Sequence, residues 1–138
     1  MVAANIKCSF SCGVEEVWNA VVSLEDYKWR SGLEKIEILE AGKKFVEYTV
    51  DGYQTTFTIT AFESFSRYEF DMENSNMSGH WTGIFSTKGG KTYIDFTEEV
   101  TAKKWWMKPL VGIYLRKQQA MYIEDLKRVL ECGLCKFN

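Results

Sequence analysis

The sequence predicts an α+β fold: a first strand, two short helices, six further antiparallel strands and a long C-terminal helix. Three patterns predict it, namely period-2 alternation of apolar and polar residues along seven segments, turn signals at Asp51-Gly52 and Gly89-Gly90, and a helical apolar stripe near the C-terminus. A length of 138 residues is typical of one domain, so residues 1–138 are expected to form a single domain.

The first elements follow from a change of period. Residues 4–10 alternate between apolar and polar side chains, which predicts a half-buried strand. From residue 14 the apolar side chains recur three or four residues apart, with Glu15 and Glu16 in the first turn, where a helix dipole favours anions. A second short helix is predicted to carry Leu24, Tyr27 and Trp29 and to end near Ser31-Gly32.

Residues 35–103 are predicted to form the six further strands. Asp51-Gly52 predicts a two-residue hairpin turn, since both residue types tolerate positive φ. That turn pairs Tyr48 with Thr55, and it places Tyr48 and Phe57 on the apolar face of the sheet.

The last hairpin is predicted from Gly89-Gly90 in the same way. This turn pairs Trp81 with Glu98 on the apolar face. Two glycines on that face, Gly79 and Gly83, have no side chains, so we expect unfilled space beside the large aromatic side chains.

A long helix is predicted over residues 109–131. Pro109 suits its first turn, where the missing N–H of proline is not needed. The predicted inward stripe of this helix is Val111, Leu115, Gln118, Tyr122, Leu126 and Val129.

Composition argues against several functional classes. The formal net charge is −2, with 17 Lys+Arg against 19 Asp+Glu, so no nucleic-acid partner is expected. No apolar run is long enough for a signal core or a spanning helix, which predicts a cytoplasmic protein with reduced cysteines. The unusual feature is the aromatic content of 15%, because aromatic side chains recur in ligand-lined cavities.

This order of elements resembles the helix-grip fold of the START-like (SRPBCC) superfamily, in its polyketide cyclase/dehydratase and lipid-transport branch. The resemblance implies a curved seven-stranded antiparallel sheet wrapped around the long helix, with a cavity between them. It also implies binding of a hydrophobic small molecule or lipid, as a carrier or sensor. The densest local matches are FSCGVEEVW at 10–18, DYKW at 26–29, TYIDFTEE at 92–99 and YIEDLK at 122–127.

The predicted register indicates which side chains would line such a cavity, although the same side chains are equally able to fill a solid core. They are Trp29, Tyr48, Phe57, Tyr68, Phe70, Trp81, Phe85, Phe96, Glu98, Gln118 and Tyr122.

Glu98 is the most informative of these residues, because the alternation of side chains along the last strand places its carboxylate on the apolar face. A buried carboxylate must be paired, hydrated or protonated. We predict a polar cluster of Glu98, Gln118 and Tyr122 that anchors a ligand hydroxyl. The alternative is that Glu98 bonds to a neighbouring protein group near the strand end and contacts no ligand.

Metal and histidine chemistry are not expected. His80 is the only histidine, and its register points it outwards beside Glu99, so catalytic triads lack a base and no cofactor is predicted. The cysteines are expected to be structural, but a tetrahedral zinc site remains an alternative for Cys8, Cys12, Cys132 and Cys135.

The run KKWWMK over residues 103–108 puts Trp105 and Trp106 between lysines, just before the long helix. Tryptophans beside lysines suit transient contact with a membrane surface. The alternative is a loop that covers the cavity mouth.

Two function classes follow, with a protein-interaction module as a third. A carrier or sensor needs a cavity and one polar anchor. The alternative is a cyclase/dehydratase-like enzyme without metal, using Glu98 as general acid/base with Tyr122 or Tyr68 assisting. Enzymes usually need two converging titratable groups, and the inner face offers one carboxylate, so binding is preferred.

Overall fold

The structure is a computed structural model that describes residues 1–131, in which seven antiparallel strands form one sheet in the order β1-β7-β6-β5-β4-β3-β2. Neither helix of the described residues combines the length and apolar character needed to cross a bilayer. The elements are β1 (Val2–Phe10), α1 (Val14–Val22), β2 (Leu33–Glu40), β3 (Lys44–Thr49), β4 (Gln54–Glu63), β5 (Arg67–Glu73), β6 (Met77–Lys88), β7 (Lys91–Ala102), a 3-10 turn (Trp105–Met107) and α2 (Lys108–Glu131).

The long helix α2 lies across the face of the sheet that we call the inner face, and it packs mainly against β1 and β7. The buried side chains of α2 include Val111, Leu115 and Leu126 from the predicted stripe. Midway along the helix, however, Gln119 takes the buried position predicted for Gln118, and its Nε2 donates to the Ala4 carbonyl at 3.1 Å. Gln118 is therefore turned toward the side of the helix that β1 and β7 leave uncovered.

The predicted second short helix is wrong, since the chain forms turns between α1 and β2. The hydroxyl of Ser23 accepts the backbone N–H groups of Glu25 and Asp26 at 3.3 and 2.9 Å. A side chain that bonds the backbone in this way competes with helical hydrogen bonding. One further turn is closed by the Arg30 N–H and the Tyr27 carbonyl at 3.0 Å.

The β6–β7 hairpin has the predicted register. Gly89 and Gly90 adopt φ of 60° and 77°, and Trp81 lies opposite Glu98. Both side chains face inward, as period-2 phasing requires.

The β3–β4 hairpin is shifted by one residue from the prediction. Tyr48 pairs with Gln54 instead of Thr55, and the Thr49 N–H donates to the Tyr53 carbonyl at 2.8 Å across a three-residue loop. A two-residue type I′ turn needs positive φ at both central residues, but here only Gly52 has it, at 86°. Because a slip of one residue exchanges the two faces of a strand, β3 turns Tyr48 outwards and Glu47 inwards.

The unfilled space predicted beside Gly79 and Gly83 is occupied by neighbouring protein atoms. The Trp81 indole lies over Gly83 and stacks on Phe70, with ring centroids 4.9 Å apart and planes 5° apart. A Cβ at Gly83 would overlap that ring, and one at Gly79 would press on the backbone of Glu99. Neither glycine therefore adds space to the inner face.

Gly83→Ala is expected to lower the free energy of unfolding by about 1–3 kcal/mol, because the added methyl group must displace the stacked indole. Urea unfolding followed by tryptophan fluorescence measures the change. Gly112→Ala is the control: its Cβ would meet Val2 only at 3.6 Å, and loss of a helical glycine stabilises by up to about 1 kcal/mol. Equal effects at the two positions would contradict this role for Gly83.

Candidate functional site

A cavity of about 900 Å³ lies between the inner face of the sheet and α2. Its lining includes residues of β3, β4 and the start of α2, whereas α2 itself packs mainly against β1 and β7. Eight of the predicted lining residues do line it: Phe57, Tyr68, Phe70, Trp81, Phe96, Glu98, Gln118 and Tyr122.

The sheet side of the cavity is a continuous set of four aromatic rings in mutual contact, which we call the stacked rings. Phe45 stacks on Phe57, with centroids 4.9 Å apart, and Phe57 meets Phe70 edge to face at 5.1 Å. Phe70 in turn stacks on Trp81. Since each ring is held by a neighbour in a favourable geometry, the wall keeps its shape without a ligand.

Three predicted lining residues lie elsewhere. Tyr48 faces outwards because of the shifted hairpin, and its hydroxyl donates to Glu37 at 3.1 Å. Phe85 is buried in the core, 4.9 Å from the Trp18 ring. Trp29 is not part of the lining, and its ring packs edge to face against Tyr122 with centroids 5.4 Å apart.

An ion pair at the cavity wall was not predicted from the sequence. The Arg30 guanidinium donates to both oxygens of Glu47, with N–O distances of 2.8 and 3.0 Å. The guanidinium carbon also lies 5.4 Å from the centroid of the Tyr122 ring. Burial opposes the charge on Arg30, but Glu47 outweighs it and raises the pKa of the guanidinium. The guanidinium therefore keeps its positive charge.

Glu98 faces the cavity and has no hydrogen bond or ion pair with any described side chain. Burial, and secondarily the negative charge of Glu47, raise the pKa of Glu98 to about 7. Within residues 1–131 no hydrogen bond joins it to Gln118 or Tyr122. The three predicted cluster residues thus line the same cavity without forming a bonded cluster.

The other carboxylates of the cavity lining have protein partners. Asp125 accepts the N–H and hydroxyl of Ser31 at 2.8 and 2.9 Å, and Glu73 pairs with Lys103 at 2.7 Å. Asp51 accepts a hydrogen bond from the Thr49 hydroxyl.

His80 lies on the outer face, away from the cavity, as predicted. Its backbone is paired with Glu99, but its ring hydrogen-bonds instead to β5, with Nδ1 2.7 Å from Asp71 and Nε2 2.7 Å from Glu69. Burial opposes a positive charge, yet these two carboxylates raise the pKa of His80 above its usual value.

Trp105 and Trp106, which precede α2, differ in position. Trp106 is 56% exposed and lines the cavity mouth, whereas Trp105 is 80% exposed and lies outside the lining. Lys104 Nζ lies 5.9 Å from the centroid of the Trp106 ring.

The structure corrects the cysteine predictions at one position: Cys12 is disulfide-bonded, so the expectation of reduced cysteines is wrong for this residue. Cys8 is half-buried with its thiol free, and burial raises its pKa. Among residues 1–131 no group of three or more His, Cys, Asp or Glu side chains is arranged to hold a metal ion. Cys132 and Cys135 lie outside the described residues. Zinc binding by all four cysteines would require the disulfide of Cys12 to be reduced, because the thiolate is the metal ligand.

No protein-family model and no curated protein matches this sequence. Solved structures do match its fold. A START superfamily protein from Mycobacterium smegmatis has a TM-score of 0.83 at 11% identity, over 96% of this chain and 99% of that chain. CalU16 from Micromonospora echinospora has a TM-score of 0.63 at 17% identity, over 90% and 75% of the two chains. DynU16, from the dynemicin biosynthetic locus, has a TM-score of 0.75 at 15% identity, and this chain covers 48% of its length.

Proposed function

We propose that this chain, which has the START-like helix-grip fold, binds a hydrophobic small molecule or lipid in the cytoplasm as a carrier or sensor. The observation that carries the proposal is the cavity of about 900 Å³ between the sheet and α2. Pockets for small molecules are typically about 300–1,000 Å³ and mostly apolar, with a few polar groups that orient the ligand.

The stacked rings supply the apolar part of this proposed site. Phe57, Phe70 and Trp81 line the cavity and are held in place by one another. Glu98 supplies the polar anchor, with Gln118 and Tyr122 on the opposite, helical wall. A rigid apolar wall lowers the entropic penalty of binding, because few side chains must be ordered when the ligand enters.

The proposal is tested by titration with N-phenyl-1-naphthylamine, an uncharged apolar fluorophore. We expect saturable binding to the native protein and weaker binding by Gln118→Trp, since an indole at this lining position would obstruct the cavity. Lys117→Trp is the matched control, because Lys117 is exposed on α2 and is not part of the lining. Absence of saturable binding, or equal loss in both variants, would contradict the proposal.

A cyclase/dehydratase-like activity is a second candidate, and it is favoured by the pKa of about 7 at Glu98. A group with that pKa is suited to general acid/base catalysis near neutral pH. Burial raises the pKa of Tyr122 to about 12, so its hydroxyl stays protonated and serves as a hydrogen-bond donor in this second candidate function. Comparison of the molecules extracted from native protein and from Glu98→Gln distinguishes the two functions. An enzyme would yield chemically different molecules, and a carrier the same one.

Loading from a membrane surface is part of the proposal. Trp105→Ala/Trp106→Ala is expected to weaken retention on phosphatidylserine-containing vesicles severalfold, because exposed indoles and adjacent lysines favour the anionic interface. Sedimentation with vesicles measures the effect, and circular dichroism checks the fold. The control is Leu39→Ala, which removes an exposed apolar side chain from β2, away from the mouth. Unchanged retention of the double variant would remove membrane contact from the account.

A further inference from the structure

The charges that line the cavity are strongly unbalanced. Among residues 1–131, Arg30 is the one cationic side chain in the lining. The acidic side chains of the lining are Glu47, Asp51, Glu73, Glu98 and Asp125.

All but one of these charged side chains have a hydrogen-bond or ion-pair partner within the protein. Arg30 is held by both oxygens of Glu47, so the guanidinium is already engaged as a carboxylate partner. Glu98 is the acidic side chain of the lining for which the described residues provide neither a cation nor a hydrogen-bond donor.

The surroundings of Glu98 are suited to a cation. Its neighbour across the β6–β7 pair is Trp81, and Phe96 lies two residues away on the same face of β7. Tyr114 of α2 also lines the cavity, and burial, followed by the negative charge of Glu98, raises the pKa of its phenol. Aromatic faces attract cations, and the attraction strengthens where water is partly excluded.

We infer that the hydrophobic ligand carries a basic nitrogen, and that its ammonium group pairs with the Glu98 carboxylate among the rings of Trp81, Phe96 and Tyr114. This inference rests on the proposed binding function and specifies its ligand class. The apolar part of such an amine lies along the stacked rings, while its charge supplies the partner that Glu98 lacks.

A ligand with a carboxylate or phosphate headgroup does not fit this lining. The negative charge of that headgroup would be repelled by Glu98 and Glu47. The Arg30 guanidinium, the one cation of the described lining, would have to give up its two hydrogen bonds to Glu47 in order to pair with it. Like charges in a partly desolvated site disfavour binding. The same argument ranks an uncharged alcohol between the amine and the acid.

The test compares three probes with the same ten-carbon chain, decylamine, decanol and decanoic acid, by displacement of N-phenyl-1-naphthylamine at pH 8. We expect decylamine to bind on the order of tenfold more tightly than decanol, and decanoate to bind weakest. In Glu98→Gln the advantage of decylamine over decanol is expected to disappear. Glu99→Gln, one residue further along β7 and on the outer face, is the matched control and should retain it.

Two results would overturn the inference and leave the binding function intact: decanol or decanoate binding as tightly as decylamine, or an amine preference that survives in Glu98→Gln. Failure of the fluorophore and all three probes to bind would overturn the binding function itself. Because Glu98→Gln removes a buried charge, its fold is expected to be preserved, and decanol binding confirms that its cavity is intact.

Discussion

Replacement of Arg30 by methionine is expected to lower the free energy of unfolding by about 3 kcal/mol, because it leaves the Glu47 carboxylate at the cavity wall without its partner. The Arg30 and Glu47 side chains are only 25% and 16% exposed, so water replaces the guanidinium poorly. Methionine keeps the apolar length of the side chain that lies against Tyr122. Urea unfolding of the ligand-free protein measures the difference.

Two further variants separate the lost partner from lost packing. Arg30→Lys keeps the charge but not the two parallel hydrogen bonds, so an intermediate loss is expected. Arg30→Met/Glu47→Gln removes both charges and should recover most of the stability, because no unpaired carboxylate remains. A double variant as unstable as Arg30→Met would show that the ion pair is not the cause.

Glu98→Gln is expected to stabilise the ligand-free protein by about 3 kcal/mol at pH 8 and by almost nothing near pH 4.5. The pKa of Glu98 rises from 4.5 to about 7 on folding, so between these values the folded state binds more protons than the unfolded state. The contribution of Glu98 to stability therefore falls as the pH rises through this window and stays low above it. Glutamine does not titrate and removes this dependence.

The change of stability with pH is assigned to Glu98 because the other titratable groups near it do not produce the same difference between the two proteins. Burial is the main cause that raises the pKa of Glu98, and the negative charge of Glu47 adds to it. Tyr114, whose own pKa is raised chiefly by burial, remains neutral throughout the window. His80 also loses stabilising charge as the pH rises through its raised pKa, but it does so equally in both proteins. Thermal or urea unfolding from pH 4.5 to 8 gives the two curves, with Glu99→Gln as the control. Parallel curves for native protein and Glu98→Gln would mean that Glu98 is not desolvated by the fold.

The success and failure of sequence reasoning can be traced to the two hairpin turns. At Gly89-Gly90 both residues adopt positive φ, so the two-residue turn forms and places Glu98 opposite Trp81 as predicted. At Asp51-Gly52 only the glycine does so, and the Thr49 hydroxyl accepts the Tyr53 N–H at 3.0 Å within a longer loop. The dipeptide alone does not distinguish these two loop lengths, and the difference of one residue exchanges the faces of β3.

That exchange explains which site residues were missed. With β3 shifted, Glu47 and Phe45 face the cavity and Tyr48 faces outwards. The partner of Glu47 could not be found from periodicity, because Arg30 lies in an irregular segment 17 residues earlier. Ser23 ends α1 through its side-chain hydrogen bonds, and the chain that follows is placed by tertiary contacts such as the Asp125–Ser31 bond.

We expect the cavity between the sheet and α2 to hold an apolar ligand in the native protein. The direct test is native mass spectrometry of protein purified from its own host. Denaturing extraction then releases any bound small molecule for identification. We expect a stoichiometric apolar molecule in the native protein and its loss in Gln118→Trp. Native protein that carries no molecule and cannot be loaded with decylamine, decanol or decanoic acid would contradict it.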